Sequence, residues 1–386
     1  MRGDSTRAVH GCDVLADPYG GVVPPLHRSA IYRFPGRGSV FIRGRPLKYL
    51  REDSPTVYAA ERLVASLEGA EDCLAFNTGM AALNTILLAL LRRGDRVAVL
   101  AHMYGTALQL IKELGTVIGY SVDAYYSVEE FVEALGGGGY RLAVAESMTN
   151  PLLYVTPIDE AARACSEDCL LLIDNTFTTP YLLKPLSLGA SIVLHSATKY
   201  LGGHNDAAGG FAAGSSELTS RLWEWRRMTG SIMQPDPAYL VIRGVKTLPV
   251  RVERQSRSAM TVAEFLLEHP RVSNVYYPGL PSHPSHHTAS RLLAHGLYGG
   301  VVSFRIRGAG RGDVERFLSS LKLITPAPSL GGVESTITYP LASSHSTIGE
   351  EDRRRLGITP DLVRLSVGLE DVEDIIEDLD QALKRV

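Results

Sequence analysis

Between Leu170 and Asn205 the chain sets an acid, two hydroxyls and an amine at the ends of two apolar runs: Leu170 to Ile173 delivers Asp174, and Ile192 to Leu194 delivers His195-Ser196-Ala197-Thr198-Lys199. Runs of this kind predict buried strands, and the carboxyl ends of strands in an open α/β sheet are where ligands bind. A lysine behind an apolar strand is partly desolvated, which lowers its pKa and makes the amine a nucleophile able to form a Schiff base with a carbonyl cofactor. The acid would face the nitrogen of a pyridine ring and keep it protonated, the pattern of a pyridoxal phosphate (PLP) site. Ser196 and Thr198, on either side of Ala197, offer hydroxyls to the phosphate. Taken alone, an acid and an amine at strand ends are more often a cap and a surface lysine. The rest of the chain reverses that weighting.

Only seven of the 39 basic residues are lysines, so an amine set between two strand-end hydroxyls stands out. The 386 residues are 45% hydrophobic with a net charge of −3, which predicts a soluble chain long enough for two or three domains and gives no sign of nucleic-acid or membrane binding. No apolar run reaches the ~20 residues of a membrane span, and MRGDSTRAVHGCDV has no signal-like apolar core, so a cytoplasmic location is expected. Cys12 and Cys73 stand alone, while Cys165 and Cys169 form a C-x3-C with no second pair; all four predict small buried hydrophobes. His283, His286 and His287 fall in a Pro-rich loop and receive no catalytic role. No metal is expected.

The elements that must position these groups follow from pattern. Residues 1–48, rich in Gly, Pro and Arg without a sustained period, predict an extended arm that needs a host surface. Ser54-Pro55 opens a helix over 56–68 that Gly69 closes. From Asp72 the pattern alternates: strands over 72–76, 95–100, 116–122, 141–145, 170–173 and 192–194, with helices over 79–92, 106–114, 127–135 and 158–167. Such βα repetition predicts a mainly parallel sheet with helices on both faces. GGFAAG adds a strand, a helix spans 215–229, and Gln234-Pro235-Asp236-Pro237 predicts a broken loop. Helix 247–268 leads into a smaller α+β unit with strands over 273–276, 300–306 and 361–365 and helices over 311–319, 348–356 and 370–384. The expected organisation is an arm at 1–48, a large domain at 49–245 and a small domain at 246–386.

Three further features bear on chemistry. Asn77-Thr78-Gly79-Met80 places a hydroxyl and a glycine at a helix start, where free backbone N–H groups and the positive helix end attract an anion. Neither G-x-G-x-x-G after the first strand nor G-x-x-x-x-G-K-[ST] is present, which removes the main support for dinucleotide and nucleoside-triphosphate binding. Arg51 beside Tyr49 is a candidate anion clamp. Arg364, in Val363-Arg364-Leu365-Ser366-Val367-Gly368, is a single cation among aliphatics, and a buried arginine demands an anion. A substrate carboxylate, or a protein partner such as Glu334 or Glu370, would supply it.

The segments Tyr49-x-Arg51, Thr78-Gly79-Met80-Ala81-Ala82, Tyr104-Gly105, Glu146-Ser147-Met148-Thr149-Asn150-Pro151, Asp174-Asn175-Thr176-Phe177, His195-Ser196-Ala197-Thr198-Lys199-Tyr200, Tyr276-Tyr277-Pro278-Gly279-Leu280, Ser329-Leu330-Gly331-Gly332-Val333-Glu334-Ser335 and Arg364-Leu365-Ser366-Val367-Gly368 occur in order. Together they resemble the Cys/Met-metabolism family of PLP enzymes, which includes cystathionine γ-synthase, the cystathionine γ- and β-lyases, methionine γ-lyase and O-acetylhomoserine sulfhydrylase. The resemblance covers almost the whole chain. It implies the α/β fold of the PLP-dependent transferases of fold type I, with a seven-stranded, mainly parallel sheet flanked by helices and a smaller α+β carboxy-terminal domain.

Residue by residue, the resemblance implies that Lys199 is the Schiff-base lysine and, once released, the base that moves protons between Cα, C4′ and Cβ. Asp174 is similar to the partner of the pyridine nitrogen and Tyr104 to the aromatic that stacks on the ring. Gly79, Met80, Ser196 and Thr198 resemble the phosphate cup, and Thr176 stands among the residues around the cofactor. Asn150, Ser329 and Arg364 resemble the groups that hold the ring hydroxyl and the amino-acid carboxylate. Tyr49 and Arg51 resemble the pair that reaches the phosphate of the neighbouring subunit, which implies that the arm contacts that subunit and that the assembly is a homotetramer, a dimer of dimers with shared sites.

Departures from the family pattern touch the subfamily. Thr106 follows Tyr104-Gly105 where microbial methionine γ-lyases carry cysteine, and Pro328 precedes Ser329 where cystathionine γ-synthases and γ-lyases commonly carry glutamate. Ser54 replaces a usual Asn, and Tyr339-Pro340 a His-Pro step. The expectation is γ-replacement or γ-elimination on sulfur amino acids or activated homoserine, of cystathionine γ-synthase or γ-lyase type. Methionine γ-lyase and O-acetylhomoserine sulfhydrylase are the alternatives, ahead of an aminotransferase or a PLP-binding protein without turnover.

Overall fold

In the computed structural model, which describes residues 3–12, 17, 19–36, 38–346 and 349–386, a short hairpin, β1 (Phe41–Ile42) and β2 (Arg45–Pro46), precedes the main sheet. Seven strands then form that sheet: β3 (Asp72–Phe76), β4 (Arg96–Leu100), β5 (Ser121–Tyr125), β6 (Leu142–Glu146), β7 (Leu170–Asp174), β8 (Ile192–Ser196) and β9 (Gly210–Gly214). Their order is β3-β9-β8-β7-β6-β4-β5. Only β9 runs antiparallel, pairing with β3 on one side and β8 on the other, so the expected mainly parallel sheet is what the chain forms.

Leu142, Val144, Leu172, Ile192 and Leu194 point into a core on one face, while Ala143, Ala145, Leu171, Ile173 and Ala213 point into a core on the other. Strands buried on both faces read as continuous apolar runs, which is why these segments show no alternation. Period-two geometry then sorts the strand ends. Glu146, Asp174 and Ser196 share the face of Val144, Leu172 and Leu194; Ser147, Asn175 and His195 take the opposite face. Register brings the ends into line: Glu146 lies opposite Asp174, and Phe76 and Ser196 both lie opposite Gly210. Gly210 has to be glycine, because a Cβ there would sit 2.3 Å from the Thr78 carbonyl oxygen. Its absence lets the 77–79 loop cross the start of β9 and reach Ser196.

The longest helix, Leu248–Glu268, leads to a second sheet of β10 (Val272–Tyr276), β11 (Val301–Ile306), β12 (Thr325–Pro326), β13 (Thr336–Thr338) and β14 (Leu362–Ser366), in the order β10-β11-β14-β13-β12. A third core, including Val302, Phe304, Phe317, Leu365 and Leu379, lies against it. Arg364 sits at the middle of β14, opposite Ser303 on one side and Thr338 on the other.

Several expectations need correction. The strand expected over 116–122 begins only at Ser121, because the preceding helix runs through Gly105–Ile118 and ends at Gly119 with φ 92°. The segment Gln234–Pro237 is not a loop: a helix spans Pro235–Val245, with a proline in its first turn, where the missing N–H has no intrahelical partner to lose. The arm is not uniformly extended. Asp4–His10 is helical, and Lys184 Nζ donates to Asp4 Oδ1 at 2.5 Å, tying it to its own chain. His286 opens a helix, His286–Leu292, that replaces the end of the expected Pro-rich loop. The helix expected over 348–356 spans Glu350–Arg355; Ile348 lies outside the described residues, as do positions 1–2, 13–16, 18 and 37 of the arm. Thr325–Pro326 and Thr336–Thr338, strands too short to show a period, were not expected.

Candidate active site

The carboxyl ends of β6, β7 and β8 open into a cavity of about 570 Å³. Lys199, Asp174, Tyr104, Gly79, Met80, Ser196, Thr198, Asn150, Thr176, Ser329 and Arg364 all line it, so residues from both sheets converge there. Tyr49 and Arg51 do not line it. Arg51 lies 5.5 Å from the Tyr49 ring and donates to the Arg227 carbonyl oxygen, and Tyr49 is 43% exposed.

Asp174 is fixed by its own loop. Thr176 donates to Asp174 Oδ1 twice, from its backbone N–H at 3.0 Å and its hydroxyl at 2.5 Å, and the same hydroxyl accepts the Ser196 N–H at 2.8 Å. Thr176 thus joins the acid to the strand that leads to the lysine. Burial raises the Asp174 carboxyl above its ordinary range; the two Thr176 hydrogen bonds and the charges of His195 and Lys199 oppose that rise.

Beneath the sheet a buried polar row ties the three strand ends together. Glu68 Oε1 meets His195 Nε2 at 2.6 Å and accepts Asn175 Nδ2 at 2.9 Å. Thr178 donates to Asn175 Oδ1 and lies 2.8 Å from the Ser147 hydroxyl. His195, Asn175, Ser147 and Thr178 are each adjacent in sequence to a cavity residue, and Glu68 joins two of them, so the row holds the spacing of the groups above it.

Lys199 Nζ donates to Ser329 Oγ at 2.9 Å. Burial first, then the charge of Arg364, brings the amine down to about 8, with Asp174 opposing. A desolvated amine of this kind is a nucleophile near neutral pH. Ser329 reaches it because Gly331, with φ 75°, seats the 329–332 loop on Tyr200: a Cβ at Gly331 would lie 2.8 Å from the Tyr200 ring and from its backbone nitrogen.

Arg364 is 3% exposed. Its Nη1 donates to Asn150 Oδ1 at 2.7 Å and its Nη2 to the Ser329 carbonyl oxygen at 3.0 Å, while Nε has no partner. Neither glutamate considered as its structural partner is one: Glu334 accepts from Asn205 at 2.8 Å, and Glu370 holds Ser335 at 2.6 and 2.8 Å. Burial lowers the guanidinium pKa to about 10. A cation this dry, with only neutral acceptors, is completed by an anion.

Other lining residues escaped sequence reasoning. Glu146 ends β6 and accepts the Tyr104 N–H at 2.8 Å; its signal, an acid closing an apolar run, is the one that identified Asp174. Phe177, Thr338 and Ser344 carried no such signal. Among the described residues no group of His, Cys, Asp and Glu side chains fits a metal ion, and no helix is long and apolar enough to cross a membrane. Cys165 and Cys169 are free thiols with sulfurs 3.2 Å apart, and Cys169, Cys12 and Cys73 are buried.

The donor set fits PLP. The cavity offers a desolvated amine for its aldehyde, a carboxylate at a strand end for its ring nitrogen, and the first turn of helix Gly79–Leu90 with the Ser196 and Thr198 hydroxyls for its phosphate.

The comparisons with known proteins agree with that chemistry. A family model described as Cys/Met metabolism PLP-dependent enzyme matches residues 5–384. The chain is 39% identical over 384 residues to a cystathionine γ-lyase of Bacillus subtilis (strain 168), covering 99% of both chains. It is 40% identical over 392 residues to a cystathionine γ-synthase of Mycobacterium bovis, covering 99% of this chain and 97% of the relative. The crystal structure of a cystathionine γ-lyase from Micromonospora echinospora superposes with a TM-score of 0.92 at 36% identity, covering 100% of each chain. With a match that spans nearly every residue and a cavity built for the same cofactor, the chain belongs to the Cys/Met metabolism family of PLP-dependent enzymes.

Proposed function

We propose that this enzyme catalyses γ-replacement or γ-elimination on a sulfur amino acid or an activated homoserine, in the manner of a cystathionine γ-synthase or γ-lyase. One observation carries the reading: Arg364, buried and without a carboxylate partner among the described residues, shares its cavity with Lys199 and Asp174. The α-carboxylate of an amino acid is the anion it lacks.

PLP, when bound, supplies an electron sink for the charge left at Cα when its proton departs. Lys199 would hold the cofactor through its amine and, as a free amine, would take the Cα proton and serve a second removal at Cβ. Asp174, oriented by Thr176, would pair with the ring nitrogen. Gly79, Met80, Ser196 and Thr198 hold the phosphate. Asn150 holds the ring hydroxyl and with Ser329 and Arg364 orients the carboxylate. Tyr104 offers its ring face to the cofactor and its hydroxyl to the departing γ-group.

Tyr49 and Arg51 are assigned to the phosphate of a neighbouring subunit, which requires at least a pair of subunits with shared sites; the working unit proposed is the homotetramer, a dimer of dimers, that the family resemblance implies. Exposed apolar side chains along the arm support this, with Tyr19 at 95%, Val22 at 93%, Ile31 at 70% and Phe41 at 60%. The division proposed is an arm at 1–48, a large domain at 49–245 and a small domain at 246–386, and the expected compartment is the cytoplasm.

A second reading, methionine γ-lyase or O-acetylhomoserine sulfhydrylase chemistry, draws on Pro328. It lines the cavity beside Ser329 and offers no carboxylate to a distal amino group. Incubating the holoenzyme with cystathionine, with O-acetyl- or O-succinylhomoserine plus cysteine, and with methionine decides between them by the products. Accumulation of the pyridoxamine form without any γ-product would overturn both readings in favour of an aminotransferase.

A further inference from the structure

Glu146 and Asp174 end neighbouring parallel strands and lie directly opposite one another in register. Both line the cavity, and Glu146 is only 4% exposed. Two ionised carboxylates side by side in a dry site repel, so such a pair retains a proton on one member. The hydrogen bonds identify that member. Asp174 accepts two from Thr176. Glu146 accepts one, from the Tyr104 N–H at 2.8 Å, and its Oε2 is buried with no partner.

The charged and titratable groups around Glu146 come from four other parts of the fold. Asp174 faces it from β7. Arg364, on β14, directs its hydrogen bonds to Asn150 and the Ser329 carbonyl and forms no ion pair with Glu146 among the described residues. Lys199 follows β8 and donates to Ser329. His345, beyond β13, is kept neutral by burial and by the charge of Arg364, its pKa brought down to about 4.

We propose that Glu146 is a positioning residue that works as a neutral acid: its carbonyl oxygen holds the Tyr104 backbone, its buried Oε2 carries the proton, and its neutrality leaves Asp174 as the ionised carboxylate at the cavity floor. Burial, then the charge of Asp174, pushes the Glu146 carboxyl well above its ordinary range, against the Tyr104 N–H and Arg364. The place of Tyr104 beside the cofactor rests on the function proposed above; the proton on Glu146 does not.

Glutamine at this position keeps an oxygen for the Tyr104 N–H and puts an N–H donor where the acid O–H stood. Glu146→Gln is therefore expected to bind PLP within about twofold of the unaltered protein and to keep the pH profile of cofactor absorption, whereas Glu146→Ala loses about tenfold in PLP affinity. In the cofactor-free protein, the infrared difference between the unaltered chain and Glu146→Gln is expected to contain one protonated-carboxyl band at neutral pH. Absence of that band, or a loss in Glu146→Gln as large as in Glu146→Ala, overturns the proposal. A band present in a protein that binds no PLP would support the protonation and sink the functional reading instead.

Discussion

Lys199 Nζ donates to Ser329 Oγ at 2.9 Å, and Ser329 holds that hydroxyl in place with its backbone at φ 97°, a conformation that side chains other than glycine rarely adopt. Strain of this kind costs on the order of 1 kcal/mol or more and persists where surrounding contacts impose it. Ser329→Gly and Ser329→Ala both remove the hydroxyl, but only glycine relaxes the backbone. The glycine variant should be more stable than the alanine variant by ~1 kcal/mol in urea unfolding, the reverse of the order at ordinary sites. Equal stabilities would show that no strain is stored there.

The Lys199 amine, brought down to about 8 by burial, sets a pH dependence. Its folded pKa lies below the ordinary 10.5, so between these values the unfolded chain holds a proton that the folded chain has released. Stability from this group therefore rises as pH climbs from about 8 towards 10.5 and is lowest below 8. Lys199→Met should stabilise the cofactor-free protein at pH 7 by up to ~3 kcal/mol and lose that advantage at high pH. Covalent capture of PLP by the unaltered cofactor-free protein should accelerate through pH ~8, as the neutral amine becomes populated. Denaturant titrations at several pH values and stopped-flow absorption check the two halves, and a flat rate profile would remove the amine from its assigned role.

Arg364 without an anion is a buried cation with neutral partners. Arg364→Met is expected to lower kcat/KM by about 100-fold, chiefly through KM, while leaving the cofactor-free protein as stable or more so. Arg364→Lys should recover little, because an ammonium cannot bond Asn150 and Ser329 together and still present a fork to a carboxylate. An unchanged KM would mean that the substrate carboxylate is held elsewhere.

Sharing of sites between subunits predicts complementation. Lys199→Ala and Arg51→Ala should each be nearly inactive alone. Refolded together, a mixed pair carries one site with both defects and one with neither, so the mixture should regain roughly a quarter of the unaltered activity. No recovery on mixing would place Arg51 outside the partner's site.

How much of this was legible in the chain follows from how local each feature is. The runs at 142–146, 170–174 and 192–196 announce buried strands because both faces are covered, and their terminal acid and the following lysine need only strand geometry to be placed. The helix end at 115–118 was misread because glycine at 115 and β-branched residues at 116 and 117 mimic a strand start, whereas the stop is Gly119. The helix beginning at Pro235 was misread because prolines that break a helix interior are harmless in its first turn.

Sequence alone determined which residue types the strands deliver to one edge of the sheet, and with them the amine, the acid and the hydroxyls of the site. Only the tertiary structure decided what meets them. Lys199 and Ser329 are 130 residues apart, and Asn150 and Arg364 are 214 apart. Those meetings depend on how the second sheet docks over the first. The same holds for Glu146 and Asp174: the order of the strands makes them neighbours, and the hydrogen bonds each accepts, two at Asp174 from Thr176 and one at Glu146 from the Tyr104 N–H 42 residues away, set them apart.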